Sequence, residues 1–414
     1  MFRARQATWV LVVAALNFVA ARARAQTTDE PTTIDTVRGT IQGSTRFIGL
    51  GGAFVAIADD TEGVPINPAS TAVRQPYSWS SFSWALGVEF SVATWLPKND
   101  VYNEPQSSES SDGGTLFGSV AAVVNFRHWG FGLSAEAEQN TVSQGTQGVT
   151  REKTANFGLV HLNAAHGYFD GQLQLGAGLR VVGLSYEGGQ GAGNLGASGL
   201  GYTAGMIIKP NGAPFRLGAA VEQPIDAEIE GDPGTAPIIV HVPWRMAFGF
   251  AFQFGSRKLN RPFVTVADRV RRNTAGREPT GEDTDKAAKE LYDEYMKDQT
   301  WYLLLCTELA LLEGARDEAL GTYDAVDRPL YSPRVGLESE VVPRFLRLRT
   351  GSYLELPVAE EGEARLHGTV GGDIKLFRWG VFGLVAPFDW WQLSVAADIA
   401  KSYLNTSFSI GFWH

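Results

Sequence analysis

Cysteine is all but missing from this chain. Cys306 is the only one in 414 residues, which excludes an internal disulfide framework and any metal cluster built on several thiolates. Histidine is nearly as sparse: His128, His161, His166, His241, His367 and His414 are scattered along the sequence. The closest pair in sequence, His161 and His166, is five residues apart, which on a strand puts the two rings on opposite faces. No metal site and no cofactor are expected. Charge is also scarce, at 19% of residues, and acidic residues outnumber basic ones 45 to 35, so nucleic acid is not an expected partner. Beyond residue 25 there is no apolar run long enough to cross a membrane as a helix.

The one apolar run present, from Ala7 to Ala21, follows Arg3 and Arg5 and leads into Ala23-Arg24-Ala25. A basic start, a short apolar core and an Ala-x-Ala site make residues 1–25 a secretory signal peptide. The run is too short for a spanning helix, which needs roughly 20 apolar residues, and Asn17 interrupts it. Removing its four arginines leaves 31 basic against 45 acidic residues, a net charge of −14.

Glycine and aromatics are abundant: 47 Gly, with 11 Trp, 12 Tyr and 23 Phe. Their arrangement has a period of two. Met246, Phe248, Phe250, Phe252 and Phe254 alternate with Arg245, Ala247, Gly249, Ala251 and Gln253. Trp301, Leu303, Leu305, Thr307, Leu309 and Leu311 alternate with Tyr302, Leu304, Cys306, Glu308 and Ala310, and two further segments, 173–181 and 391–398, behave alike. A strand with a wholly apolar outer face and a small or polar inner face belongs to a membrane-spanning antiparallel β-barrel. A soluble sandwich would rarely repeat that pattern so often. On this reading Arg180, Arg245, Glu308, Arg347, Arg349 and Asp398 face the lumen, and outer-membrane lipid covers the other face.

Link lengths give a second test. Counting back from a last strand at about 404–413, links alternate between long ones (99–114, 143–152, 187–198, 229–239, 314–330 and 357–365, with a brief one at 400–403) and short ones. The short set comprises Arg127–Gly130, Tyr168–Gly171, Lys209–Pro214 and Pro343-Arg344, with a looser stretch at 378–390. Long links are expected outside the cell and short turns in the periplasm, and the count comes to about fourteen strands with both ends of the chain in the periplasm. The link at 267–299 is long yet falls on the periplasmic side. It reads as a helical insertion, capped at Asp283 or Thr284 and running to about Gln299, with Ala287, Ala288, Leu291, Tyr292 and Tyr295 on one stripe. Such a helix either packs under the barrel mouth or, at 283–299, offers a docking site to a periplasmic partner. In the last strand Leu404, Thr406, Phe408, Ile410, Phe412 and His414 share a face. This resembles the terminal signal by which bacterial barrels meet their assembly machinery, with His414 in place of the usual aromatic.

Gly49-Leu50-Gly51-Gly52-Ala53-Phe54 is followed by Ala58-Asp59-Asp60 and then Asn67-Pro68-Ala69. This resembles the N-terminal signature of the FadL/TodX and PorV group of outer-membrane proteins, departing from it at Ile66 and at Ser70-Thr71. The resemblance implies a fourteen-stranded barrel (residues 75–414) whose lumen is blocked by an N-terminal hatch (residues 26–74). In the transporter branch it implies cargo that is hydrophobic and small, such as long-chain fatty acids or aromatic hydrocarbons. The alternative branch, PorV-like, serves a protein secretion system. The hatch motif would be Gly49, Gly51, Gly52, Asp59, Asp60, Asn67 and Pro68. Its glycines allow close backbone approach and Asn67-Pro68 favours a turn. Asp59 and Asp60 either pair with Arg180, Arg245, Arg347 or Arg349, or simply hydrate the lumen. A phosphate loop is not supported, because Phe54 stands where Gly-x-Gly-x-x-Gly needs glycine. Nor is an enzyme expected, since the histidines form no pattern with a serine and a polar orienter.

Alternation of this kind predicts a β-type circular dichroism spectrum in detergent and a gel mobility that changes on boiling. A helical spectrum, or lasting solubility without detergent, would sink the barrel reading.

Overall fold

A computed structural model describes residues 32–36, 39–75, 78–93, 100, 103, 112–146, 149–187, 195–229, 238–275, 277–314, 318–319, 323–324, 328–358, 362–378 and 390–413. The signal-peptide expectation at 1–25 lies outside these residues.

Fourteen antiparallel strands close into one barrel. They are β1 Phe82–Ala93, β2 Asp112–Phe126, β3 Trp129–Thr146, β4 Val149–Tyr168, β5 Leu173–Glu187, β6 Leu195–Ile208 and β7 Phe215–Glu222. The second half comprises β8 Arg245–Gly255, β9 Tyr302–Leu312, β10 Leu330–Val342, β11 Leu346–Glu355, β12 Arg365–Arg378, β13 Trp390–Ala400 and β14 Tyr403–Trp413. Each strand pairs with its neighbours in sequence, and β14 returns to β1 in register Thr406↔Val92 to Ile410↔Val88. The count of fourteen and the identity of the strands agree with the alternation read from the sequence.

The period of two becomes a radial separation. On β1 the side chains of Phe82, Trp84, Leu86, Val88 and Phe90 are all exposed, and on β8 so are Phe248, Phe250 and Phe254. Ala247, Ala251 and Gln253 on β8, and Leu304, Cys306 and Glu308 on β9, are buried inside. An apolar belt of this extent is tolerated against hydrocarbon and not against water. No helix among the described residues is long and apolar enough to span a membrane.

All the links split between two ends. Tight turns at 127–128, 169–172, 209–214 and 343–345 mark one, the turn end; the longer links at 223–244, 313–329 and 356–364 mark the other, the loop end. Two expected loops contain paired backbone instead. At 143–152 the ladder between β3 and β4 continues to Thr146↔Val149, because backbone pairing needs no apolar alternation. Around 229–239, Ile225–Ile229 and Ile238–Val242 form a small antiparallel pair.

That pair corrects a further expectation. Thr32–Asp35 joins it in parallel with Ile238–Val242, in register Thr32↔Ile238 to Asp35↔His241. The chain ahead of the barrel therefore lies at the loop end, whereas β1 begins and β14 finishes at the turn end. Residues 39–75, the inner segment with its short helices α1 Thr45–Gly49 and α2 Asp60–Gly63, run through the lumen from one end to the other. Link lengths report only on the strands they join, so they carried no signal for this passage.

At the turn end the chain between β8 and β9 forms a two-helix insertion, Val266–Thr274 (α3) and Gly281–Lys297 (α4). The cap of α4 is Thr280 and not Asp283 or Thr284: Thr280 Oγ1 accepts from Asp283 N at 3.3 Å while Thr280 N donates to Asp283 Oδ2 at 2.9 Å. The reciprocal bonds favour the residue three positions before the acid. α3 was not foreseen, since Val-Ala-Asp-Arg-Val-Arg-Arg-Asn-Thr has too few apolar positions to show a period. The insertion crosses the mouth: the ring of Trp79, just ahead of β1 and half the circumference away, meets Tyr292 and Tyr295 edge-on at 6.1 and 6.2 Å. Arg269 clamps α3 to Glu294 on α4 at 2.7 and 2.8 Å.

With the loop end outside the cell, a cysteine at Lys401, in the β13–β14 turn, should react with an impermeant thiol reagent on intact cells in a Cys306→Ser background. A cysteine at Glu278 in the insertion should react only after the outer membrane is permeabilised. The reverse pattern would invert the barrel.

Candidate functional site

The inner segment folds as short helical turns, which close its backbone bonds locally, from Ile48 N to Ser44 O through Val73 N to Ser70 O, with no need of a partner strand. Ser44 caps the five-residue helix α1, its side chain accepting from Phe47 N at 3.2 Å. Gly51 then takes φ +60°, and a Cβ there would sit 2.7 Å from the backbone N of Ser352 on β11, so conformation and space both demand glycine. A second turn, Asp60–Gly63, leads to a 3₁₀ turn, Pro68–Ala72, capped by Asn67.

Asn67 is fully buried and ties three strands of chain together. Its Nδ2 donates to Val55 O at 3.1 Å and to Met206 O on β6 at 3.2 Å, while its Oδ1 accepts from Ala69 N at 3.0 Å. Pro68 and Ala69 lie against Gly176 on β5, and Val55 and Ala56 against Gly218 on β7. Small inward residues on the barrel wall are thus the counterpart of the glycines in the segment.

The expected lumen residues sit on the inward face, and ion pairs join most of them. Glu308 accepts from Phe54 N at 2.9 Å and Val55 N at 2.8 Å, and its other oxygen faces Arg334 at 3.1 Å and Arg245 at 3.7 Å. Arg46, in the first helical turn, bonds Glu338 on β10 at 2.9 Å and Asp59 at 2.9 Å. Glu338 also accepts from Arg349 at 2.7 Å and from Tyr302 Oη at 2.9 Å, and Arg349 continues to Asp373, which meets Arg347 at 3.3 Å. Near the loop end Asp398 accepts from Tyr353 Oη at 2.6 Å and faces His367 Nδ1 at 2.8 Å; the other His367 nitrogen lies 2.7 Å from Glu355.

One expected pairing is corrected. Asp59 is satisfied by Arg46 from its own segment, with Arg216 at 3.7 Å, and none of Arg180, Arg245, Arg347 or Arg349 bonds it. Arg245 and Arg180 instead meet Glu222, at 3.1 and 3.2 Å, and Arg349 meets Glu338. The cause is register: Arg245 stands directly opposite Glu222, and Arg349 opposite Glu338, so the nearest carboxylate is the cross-strand one. Asp60, buried at the start of its turn, lines a cavity below the segment.

Arg46, Glu338, Asp373, Arg334 and Arg216 were missed as site residues. Arg334, Gly336, Glu338 and Glu340 do share one face by alternation, which marks Glu338 as lumenal. Nothing in the local pattern marks Arg46, whose partner is 292 residues away.

Removing the shared carboxylate with Glu338→Ala leaves Arg46 with Asp59 alone and Arg349 with Asp373 alone, a loss worth about 2 kcal/mol or more. The check is the urea midpoint of the detergent-folded protein. A variant within about 0.5 kcal/mol of wild type would mean that the network does not hold the segment.

No family model matches the sequence, and no curated protein matches it. Solved structures do match in shape. The CymD monoaromatic hydrocarbon channel aligns at 12% identity with a TM-score of 0.52, over 89% of this chain and 96% of that one. A TodX monoaromatic hydrocarbon channel carrying the deltaS2S3 mutation aligns at 11% identity and 0.53, over 89% and 98%. A deltaS2 mutant of TodX aligns at 12% and 0.52, over 91% and 99%. The resemblance in the glycine-rich signature is thereby supported at the level of architecture: this chain, a fourteen-stranded barrel, has the fold of these monoaromatic hydrocarbon channels.

Proposed function

We propose that the protein lies in the outer membrane and passes hydrophobic small molecules across it, with the inner segment as the hatch that controls the route. The observation that carries this reading is the contrast between wall and filling. The wall is a continuous ladder with an apolar exterior, whereas the filling is a separate stretch of chain held by side-chain bonds and ion pairs. A fourteen-stranded lumen left open would leak, and a permanently sealed one would transport nothing. Contacts between small residues, Gly176 against Ala69 and Gly218 against Ala56, bury little side chain and can part locally without opening the ladder. The likeness in fold to hydrocarbon channels supports the same direction for the cargo, either long-chain fatty acids or aromatic hydrocarbons.

Asn67 is the joint at which the segment can be loosened without touching the wall. Asn67→Ala with Pro68→Ala removes three buried hydrogen bonds and should change uptake of a labelled aromatic hydrocarbon or long-chain fatty acid while leaving heat-modifiable barrel in the membrane. Cells carrying wild type, the double variant or no protein are compared. Equal uptake of every such compound with and without the protein, together with failed export of surface proteins in the deletion strain, would replace this reading with the secretion role.

A further inference from the structure

Between the inner segment and the two-helix insertion the lumen widens into a cavity of about 520 Å³. Lys258, Arg272 and Lys297 share its lining and are exposed, so the cavity opens to solvent at the turn end. Deeper in, Lys209 lines the same space from the link between β6 and β7 and is only 6% exposed. Its amine has neither a carboxylate within ion-pair distance nor a hydrogen-bond acceptor among the described residues.

The neighbours explain that isolation. Arg216 takes the nearby acceptors, donating to Asn260 Oδ1 at 2.8 Å and to Leu259 O at 3.1 Å, and it also faces Asp59 at 3.7 Å. Asn260 is fully buried and spends its own amide on Ala213 O and Phe215 O. A primary amine that is desolvated, unpaired and set beside a fixed cation is held in its neutral form, and a neutral lysine amine is a nucleophile toward carbonyl carbon. Burial, with the charge of Arg216, pushes Lys209 down to about 7 against the opposing pull of Asp59. Leu259, Phe263 and Leu304 give the same cavity an apolar side.

We propose that Lys209 captures hydrophobic aldehydes in this cavity as a reversible imine, with the apolar body of the aldehyde along Leu259 and Phe263. Nζ adds to the carbonyl carbon, a C–N bond forms, and the C=O π pair moves to oxygen. A proton passes from nitrogen to that oxygen to give the carbinolamine. Its hydroxyl then leaves with a second proton from nitrogen as water, and the C=N bond remains. Nothing is oxidised or reduced, and water reverses the sequence. A hydrocarbon or an alcohol offers the amine no electrophilic carbon, so the site singles out the carbonyl group. The passage reading supplies only a route by which an aldehyde arrives; imine formation in the purified barrel does not depend on it.

The test uses the full-length protein in a neutral detergent at pH 7, with 4-ethylbenzaldehyde and sodium cyanoborohydride, which reduces the imine to a stable secondary amine. Peptide mass spectrometry then reads the rate at each lysine, and Lys258 and Lys297 serve as internal controls because they line the same cavity. Lys209 should label about tenfold or more faster than either. About half of it is neutral at pH 7, against about one part in a few thousand of an unperturbed lysine, and burial offsets some of that lead. Its lead should be larger for 4-ethylbenzaldehyde than for acetaldehyde, which has no ring to lie on Phe263. Labelling at Lys209 no faster than at Lys258 and Lys297 overturns the proposal without recourse to any variant. An equal lead for both aldehydes overturns the apolar seat. Hydrocarbon uptake by cells, measured separately, bears on passage alone: its absence with the Lys209 lead intact removes the transport reading and leaves the imine site.

Discussion

Backbone N–H and C=O groups set against hydrocarbon find no water, and every one must be answered by another backbone group. That requirement forces a sheet with no free edge, so β14 has to return to β1, and closure in turn creates an interior. Everything else about this chain is a response to that interior. Inward positions alternate with outward ones along each strand, so half the residues of the wall face a space that water alone would fill. The chain fills it with its own residues 39–75, and the wall's polar and charged side chains become the anchors for that filling.

Anchoring inside this barrel combines packing with charge. Phe47, Leu50, Phe54 and Ile57 of the segment pack with Ile207, Leu304 and Tyr353 of the wall, and directional bonds set the register of that packing: two backbone N–H groups on Glu308, one arginine on Glu338, one asparagine on Val55 and Met206. Such bonds are strong while complete and lost quickly when one partner moves. The two ends of the lumen differ accordingly. Near the loop end His367 sits between Asp398 and Glu355 with a carboxylate at each ring nitrogen, whereas at the turn end Arg74 lines the cavity bonded only to Ser78 and Ser80 among the described residues.

The wall was legible in the sequence because it obeys a period of two. Met246 to Phe254 announces both its strand and its outward face, and Glu308 is lumenal by the same rule. Where the sequence stops alternating the rule lapses, and the continuation of β3 to Thr146 and of β4 from Val149 reads as a loop. The filling was legible as a motif and not as geometry. Glycines at 49, 51 and 52 and the Asn67-Pro68 turn were recognisable, but the pairing of Arg46 with Glu338 depends on how far the chain has descended inside the barrel. No local pattern records that distance. The same holds for the direction of descent, which rests on four residues, Thr32–Asp35, pairing with a link between β7 and β8.

That direction has a consequence for how the molecule comes to exist. A chain whose residues 32–35 lie at the loop end, and which then runs through the lumen and builds the wall around itself, is an axle inside a ring made from its own continuation. The ring is complete only once the last strand has joined the first, so an axle laid in before that seam zips is spared threading. Afterwards the link to β1 keeps it tied to the wall at the turn end. Loosening can therefore slide or tilt the axle, but the same covalent tether brings it back, and the protein needs no separate device to close again.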